Sequence, residues 1–289
     1  MNAVPPQHKT IGSPGSSSGE TENIELQLLL EAVYLKYGYD FREYARASVK
    51  RRVLQRLALS GLRNLSEMQH ALLSDVTFFE TLLRDLSINV SEMFRDPSFY
   101  KALREQVVPV LKTYPFLKIW HAGCSTGEEA YSMAIVLQEE QLYERTQMYA
   151  TDFNNVVLQK AKEGIYPVEN VKEYTLNHQK SGGRDSFVHY YTAKHEAIIM
   201  KRSLKQRIVF ANHNLVTDGV FGEMNLIFCR NVLIYFTKEL QNRVLKLFYE
   251  SLCHHGWLCL GSKESLKFSD YADHFEEVVK DEKIYRRKD

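Results

Sequence analysis

The chain lacks most of the features that announce a special chemistry. Its four cysteines, at positions 124, 229, 253 and 259, form no C-x-x-C pair, which removes the usual zinc-site and disulfide-framework readings. Cys229 and Cys259 sit in apolar, strand-like runs, where free buried thiols are expected, and a reducing cytoplasm fits. No apolar stretch approaches the roughly 20 residues that span a bilayer. The opening "MNAVPPQHKTIGSPGSSSGETEN" has no apolar core of the kind a signal peptide carries. Neither sign of charge is in excess: the net charge is +1, so no global field argues for nucleic acid or an anionic membrane. There is no internal repeat, and no metal is expected.

What remains is an ordinary globular composition, 44% hydrophobic and 25% charged over 289 residues. That suits one large domain or two smaller ones. Residues 1–22 are rich in Pro, Gly and Ser and read as a disordered tail. Residues 23–88 read as a small helical domain. "IELQLLLEAVYLKYG" is an apolar helix ended by Gly38, and "SVKRRVLQRLALSG" is a second, with Ser48 as N-cap and Gly61 past its end. "LSEMQHALLS" and "VTFFETLLRDLSI" are two more.

From about Phe116 the pattern changes. "FLKIWHA", "QMYATDF", "QRIVFANHNL", "MNLIFCRN" and "WLCLGS" are five short apolar runs of strand type. Helical patterns intervene at Gly127–Gln141, Val156–Glu163 and Lys238–Cys253. Strands alternating with helices predict a doubly wound α/β fold, a mostly parallel sheet covered on both faces. "FEEVVKDEKIYRRK" predicts a C-terminal antiparallel hairpin. Residues 167–205, rich in Lys, His and Tyr with "SGGRDS" near the centre, read as an inserted small antiparallel β-subdomain.

In such folds a ligand sits outside the carboxyl ends of the strands. There the sequence places the turn "GCSTGEE" after the first strand, Asp152 after the second, and Asn212, Asn214 and Leu215 after the third. Arg230, Asn231 and Tyr235 follow the fourth. A carboxylate at the end of the second strand suits ribose hydroxyls. The glycine turn has G-x-x-x-G spacing and carries Glu128 and Glu129 at its mouth. A pyrophosphate would be repelled there, whereas the ammonium of S-adenosylmethionine (SAM) would be attracted. Glu129 therefore argues for SAM. Glu128 either shares that work or offsets the helix macrodipole.

At this point "NVSEMFRD", "GCSTGEEAYS", "ATDFN", "EGIYP", "FANHNL" and "FCRNVLIYF" resemble, in order, the chemotaxis receptor methyltransferases of the CheR type. The resemblance runs from Ile24 to the C-terminus. It implies a class I SAM-dependent methyltransferase domain over residues 89–289, joined to a small all-α domain and interrupted by the β-subdomain. The implied activity is protein-glutamate O-methylation of chemoreceptors, with S-adenosylhomocysteine as the other product, in a cytoplasmic protein recruited to receptor arrays. The implied cofactor-binding residues are Asn89, Ser91, Arg95, Gly123, Glu129, Asp152, Asn214, Leu215, Arg230 and Asn231. Ser91 stands where the family more often has Thr, and Met93 where it more often has Phe. Arg95 and Tyr235 are the expected catalytic pair, Arg95 to steer the acceptor carboxylate and Tyr235 near the transferred methyl. In some members the β-subdomain binds a receptor C-terminal pentapeptide through a glycine-containing turn. "KSGGRDS" has two glycines, but its surroundings differ from that pattern.

The helical domain carries a local excess of positive charge. Between Lys36 and Arg63 lie eight basic and two acidic residues. On the second helix Val53, Leu54 and Leu57 share one face, with Arg51, Arg52 and Arg56 away from it and Lys50 snorkelling from the apolar side. These four cations are the expected contacts for acidic receptor helices; a merely solvated face is the other reading. A nucleic-acid methyltransferase of the same fold would show [DN]-P-P-[YF] after the fourth strand or a Pro-Cys nucleophile, and neither occurs. The expected partners are thus glutamate-bearing receptor helices, with no nucleic acid, no membrane insertion, and a monomeric enzyme.

Overall fold

The computed structural model describes residues 17–87 and 91–289. The rest of the expected tail, and Asn89, lie outside the described residues. Four helices form the N-terminal unit: α1 (Ser17–Tyr37), α2 (Arg46–Ser60), α3 (Leu65–Ser74) and α4 (Val76–Leu86). α1 starts inside the stretch expected to be a tail. Leu26, Leu29 and Val33 anchor it in the core, and Glu22 reaches Lys50 of α2 at 2.6 Å, so its first turns are tied down. α2 begins at Arg46 with Ala45 as N-cap, rather than at Ser48. The reason is tertiary: the Ala45 amide donates to the Tyr235 carbonyl at 2.7 Å. α3 and α4 start where their caps dictate, with Asn64 accepting from the Glu67 amide and Asp75 from the Thr77 amide.

A helical segment to which the sequence reading assigns no element follows: α5 (Pro97–Ala102), a π-turn over Leu103–Val107, and α6 (Val108–Leu111). It buries Phe99, Tyr100, Leu103 and Leu111 against the main sheet. That sheet has seven strands: β1 (Leu117–Ala122), β2 (Thr146–Asp152), β6 (Ile208–Asn212), β7 (Met224–Cys229), β8 (Leu252–Leu260), β9 (Phe275–Val279) and β10 (Ile284–Arg287), in the order β6-β2-β1-β7-β8-β10-β9. The first five are parallel and the last two form the antiparallel edge. α7 (Glu128–Glu139), α8 (Asn155–Glu163) and α11 (Lys238–Ser251) are the crossover helices. Alternation sorts the strands onto two cores. Leu117, Ile119, Leu226 and Phe228 face one side, while Trp120, Ala122, Ile227 and Cys229 face the other. Strands buried on both faces need apolar residues throughout, which is why their runs read as continuous.

The insertion forms its own antiparallel sheet from β3 (Ile165–Pro167), β5 (Ala197–Met200) and β4 (Tyr191–Lys194). It also contains α9 (Val171–Lys180), and the single turn α10 (Arg202–Lys205) follows it. The stretch "SFVHYYTA" in this insertion opens as a 3-10 turn over Phe187–Tyr190 before it becomes β4.

Chain order reverses between β1 and β7, so a crevice opens at their carboxyl ends. The helical unit closes one side of it. Tyr44 pairs with Phe236 as an isolated antiparallel bridge, the Thr237 amide donates to the Glu43 carbonyl at 2.9 Å, and Arg243 pairs with Glu43 at 2.6 Å. Among the described residues no helix is long and apolar enough to cross a membrane.

Candidate functional site

A cavity of about 250 Å³ occupies the crevice. Its floor is the turn between β1 and α7. The Gly123 and Cys124 amides both donate to the Thr151 carbonyl, at 2.8 and 2.9 Å. Gly123 has φ +79°, and a Cβ there would lie 2.6 Å from Val232 Cγ2. This glycine is demanded by the loop that packs on it.

The two glutamates at the turn have different surroundings. Glu129 lines the cavity. Its Oε1 meets His121 Nδ1 at 2.9 Å and its Oε2 lies 3.6 Å from Arg230. Burial pushes the Glu129 carboxyl up, but the His121 hydrogen bond, the His121 charge and Arg230 outweigh it, and the net displacement is downward. Glu129 therefore stays ionised. Glu128 does not line the cavity. It is buried and accepts from the Thr126 hydroxyl at 2.7 Å. Burial dominates there, only partly offset by Thr126, its own backbone amide and Ser91, and raises the Glu128 carboxyl. Glu128 thus belongs to the turn's internal bonding.

At the end of β2, Asp152 accepts from the Ser125 amide and the Asn154 amide, both at 3.0 Å. One carboxylate thereby fixes the glycine turn and the start of α8, and burial displaces its pKa upward against these amides. Beyond β6, Asn214 and Leu215 line the cavity. The Asn214 side-chain oxygen accepts from the Val216 amide at 3.0 Å. Asn212 does not join them: its side chain donates to the Phe153 carbonyl at 2.9 Å, away from the cavity.

After β7, Arg230 is buried and donates to Asp96 at 2.7 Å, with its guanidinium 4.0 Å from the Phe99 ring centroid. Asn231 has φ +62°, and with Val232 and Tyr235 it lines the cavity. Ser91 and Arg95 line it from the segment after α4. Burial raises the Tyr235 phenol despite the opposing charges of Arg52 and Arg95. It is therefore an O–H donor at neutral pH and not a phenolate base.

The basic residues of α2 do not act as one face. Arg52 lines the cavity, donating to the Asp85 carbonyl at 3.0 Å. Arg56 is clamped by Asp85, Lys50 pairs with Glu22, and Arg51 is exposed. Sequence reasoning missed His121, buried and stacked on Phe228 with centroids 4.5 Å apart. Its only signal was a polar residue inside a buried strand.

The residues fit SAM on a specific observation. Two carboxylates, the partly exposed Glu129 and the buried Asp152, line the same cavity, which suits a cationic, hydroxyl-bearing ligand and disfavours a phosphate. Among the described residues no His/Cys/Asp/Glu group is arranged to hold a metal ion.

Comparison with known proteins agrees with this reading. Residues 89–284 match the family model of the CheR methyltransferase SAM-binding domain, and residues 24–87 that of the CheR methyltransferase all-alpha domain. Over 271 residues the chain is 53% identical to a candidate methyltransferase, Cher3, of Pseudomonas putida, covering 94% of this chain and 99% of that one. It is 32% identical to a chemotaxis protein methyltransferase of Listeria innocua, covering 81% and 88% of the two chains. Among solved structures it is similar, at 13% identity and a TM-score of 0.32, to the N-methyltransferase NodS of Bradyrhizobium japonicum, covering 59% of this chain and 62% of that one; that distance bears no weight.

Proposed function

The chain belongs to the CheR methyltransferase family, and from that premise we propose that it methylates glutamate side-chain carboxylates of chemoreceptors, yielding glutamyl methyl esters and S-adenosylhomocysteine. The observation that carries this reading is the division of charge around one cavity. Glu129 and Asp152 lie by the glycine turn, whereas Arg52 and Arg95 lie by Tyr235. The first pair suits a cationic methyl donor and the second suits an anionic acceptor.

When bound, SAM supplies an electrophilic methyl group and a neutral thioether leaving group. Glu129 would hold its ammonium and Asp152 its ribose hydroxyls, with Asn214 and Leu215 beside the adenine and Ser91, Arg230 and Asn231 completing the wall. The chain's remaining task is geometry and dryness. An acceptor glutamate is already ionised at neutral pH, so no residue need remove a proton. Arg95 orients that carboxylate by charge-assisted hydrogen bonds, and Tyr235 offers its hydroxyl at the edge of the path. Phe41, Tyr44 and Phe236 exclude water from the helical side. Cys124 also lines the cavity, but burial pushes its thiol well up, so it stays uncharged and is no rival nucleophile.

We assign the domain of residues 23–88 to receptor docking, with the exposed Arg51 and the cavity cation Arg52 as the charges it offers to an acidic helix. Two contacts support action without a receptor pentapeptide. A Cβ at Gly183 would lie 2.4 Å from the His178 ring, and the Arg184 and Asp185 amides donate to Glu139. The glycine turn of the insertion is thus engaged internally. The test is incubation with methyl-labelled SAM and receptor-enriched membranes. Label released by base as methanol is expected; label that survives base would exclude the ester.

A further inference from the structure

Glu264 is a buried acid that the cavity does not contain and the mechanism does not use. It lies past β8, in "GSKES", yet four backbone amides converge on it. Its Oε2 accepts from Asn231 at 2.9 Å and Gly261 at 2.6 Å. Its Oε1 accepts from Val232 at 2.8 Å and Ile234 at 3.3 Å. The approach is tight: a Cβ on Gly261 would lie 2.7 Å from the Asn231 amide nitrogen.

Three of those donors belong to the segment that forms one cavity wall. Asn231 sits in the left-handed region at φ +62°, uncommon for a residue bearing a Cβ although asparagine adopts it more readily than most. It persists where surrounding bonds over-determine it, and the carboxylate supplies those bonds. On its other side the segment is stopped by Gly123, against which Val232 packs. Its last residue, Tyr235, accepts through its carbonyl from the Ala45 amide of the helical unit.

We propose that Glu264 is a positioning residue: its carboxylate holds the Asn231–Tyr235 segment in the cofactor-ready shape before any ligand arrives. The proposal rests on the reading of this cavity as the SAM site, and not on the identity of the methyl acceptor. A neutral amide of the same size keeps one acceptor oxygen but turns an NH₂ group toward backbone donors. Two of the four bonds are lost and donor faces donor.

The test is S-adenosylhomocysteine binding by calorimetry on full-length Glu264→Gln, with circular dichroism and Tm measured alongside. Affinity about tenfold weaker in a folded protein is expected, since each lost bond to a charged acceptor matters on that scale. Affinity within twofold of wild type, with only Tm lowered, would overturn the proposal, because a merely structural acid would not move binding by the folded fraction. A second measurement needs no variant. In ligand-free wild-type protein, the Asn231 and Val232 amides should resist hydrogen exchange; free exchange there until ligand is added would equally overturn it. Neither arm uses a receptor, so failure of the acceptor assignment leaves both readouts intact.

Discussion

α7 carries two adjacent glutamates at each end, and Glu129 at the first end differs from both glutamates at the second. At its N-terminus, Glu128 and Glu129 lie where the helix macrodipole favours negative charge. Few cations are needed there, and Glu129 can face a cavity. At its C-terminus, Glu139 and Glu140 lie where the dipole opposes them, and both are deeply buried. Their neighbours compensate. Glu139 is bonded by Arg104, by His178 at 2.9 Å and by Tyr190 at 2.9 Å. Glu140 is paired with Arg104, Lys112 and Arg184. Those bonds clamp the inserted β-subdomain and the helical segment at 97–111 onto the main sheet. The same residue type on the same helix thus faces a cavity at Glu129 and is bonded internally at Glu139 and Glu140. The difference lies in how completely the carboxylate is satisfied by the protein itself.

Five variants probe that contrast and the cavity it borders. Glu139→Ala should have the largest effect, about 3–5 kcal/mol of stability by chemical denaturation, because it strands buried His178 and leaves buried Arg104 with Glu140 alone. Its folded fraction should still bind S-adenosylhomocysteine normally; weakened binding would show that the two ends are not separable. The acid limb follows from the same group. Burial works against ionisation, but His178 and Arg104 prevail and hold the Glu139 carboxyl at about 2, below its ordinary 4.5. A depressed folded value means stability present above pH 4.5 and lost as pH falls toward about 2. Denaturation midpoints across that window should slope in wild type and flatten in Glu139→Gln.

Glu129→Gln should weaken S-adenosylhomocysteine binding about 100-fold, since it removes the proposed partner of the ammonium. Calorimetry showing less than a threefold change would make Glu129 as structural as the C-terminal pair. Arg95→Ala should lower turnover about tenfold while leaving cofactor affinity within threefold. Unchanged turnover in a receptor methylation assay would remove Arg95 from the mechanism. Glu128→Gln should do least. Its folded carboxyl is displaced upward, so ionisation at pH 7 costs stability. Tm is expected to hold or rise slightly, with binding unchanged.

Much of this was legible in the sequence because it depends on local rules. The helices in "LSEMQHALLS" and "VTFFETLLRDLSI", the continuous apolar strands and the acids at strand ends all follow from local pattern. What escaped depends on contacts between distant segments. The α2 start is set by the Tyr235 carbonyl, not by a capping side chain. Arg52 faces the cavity because the end of α4 binds it there. α9 was hidden because its strongly buried residues are only Tyr174 and His178, too few to print a period. Glu264 has no motif because its partners are backbone amides, which every residue type possesses. Asn89 lies outside the described residues, and its role remains what the family resemblance implies.

The bridge between Tyr44 and Phe236 has a thermodynamic consequence. The cavity wall is completed only while the helical unit is docked, so ligand binding and interdomain cohesion are linked equilibria. A ligand that requires the docked form stabilises it by about 2.7 kcal/mol at 100 times its dissociation constant. Reciprocally, apparent affinity falls in proportion to the docked fraction that is lost. An acidic receptor helix that prised α2 from the cavity would therefore lower cofactor affinity, whereas one that pressed it home would raise it. Acceptor and methyl donor would thus sense each other through the packing of two domains.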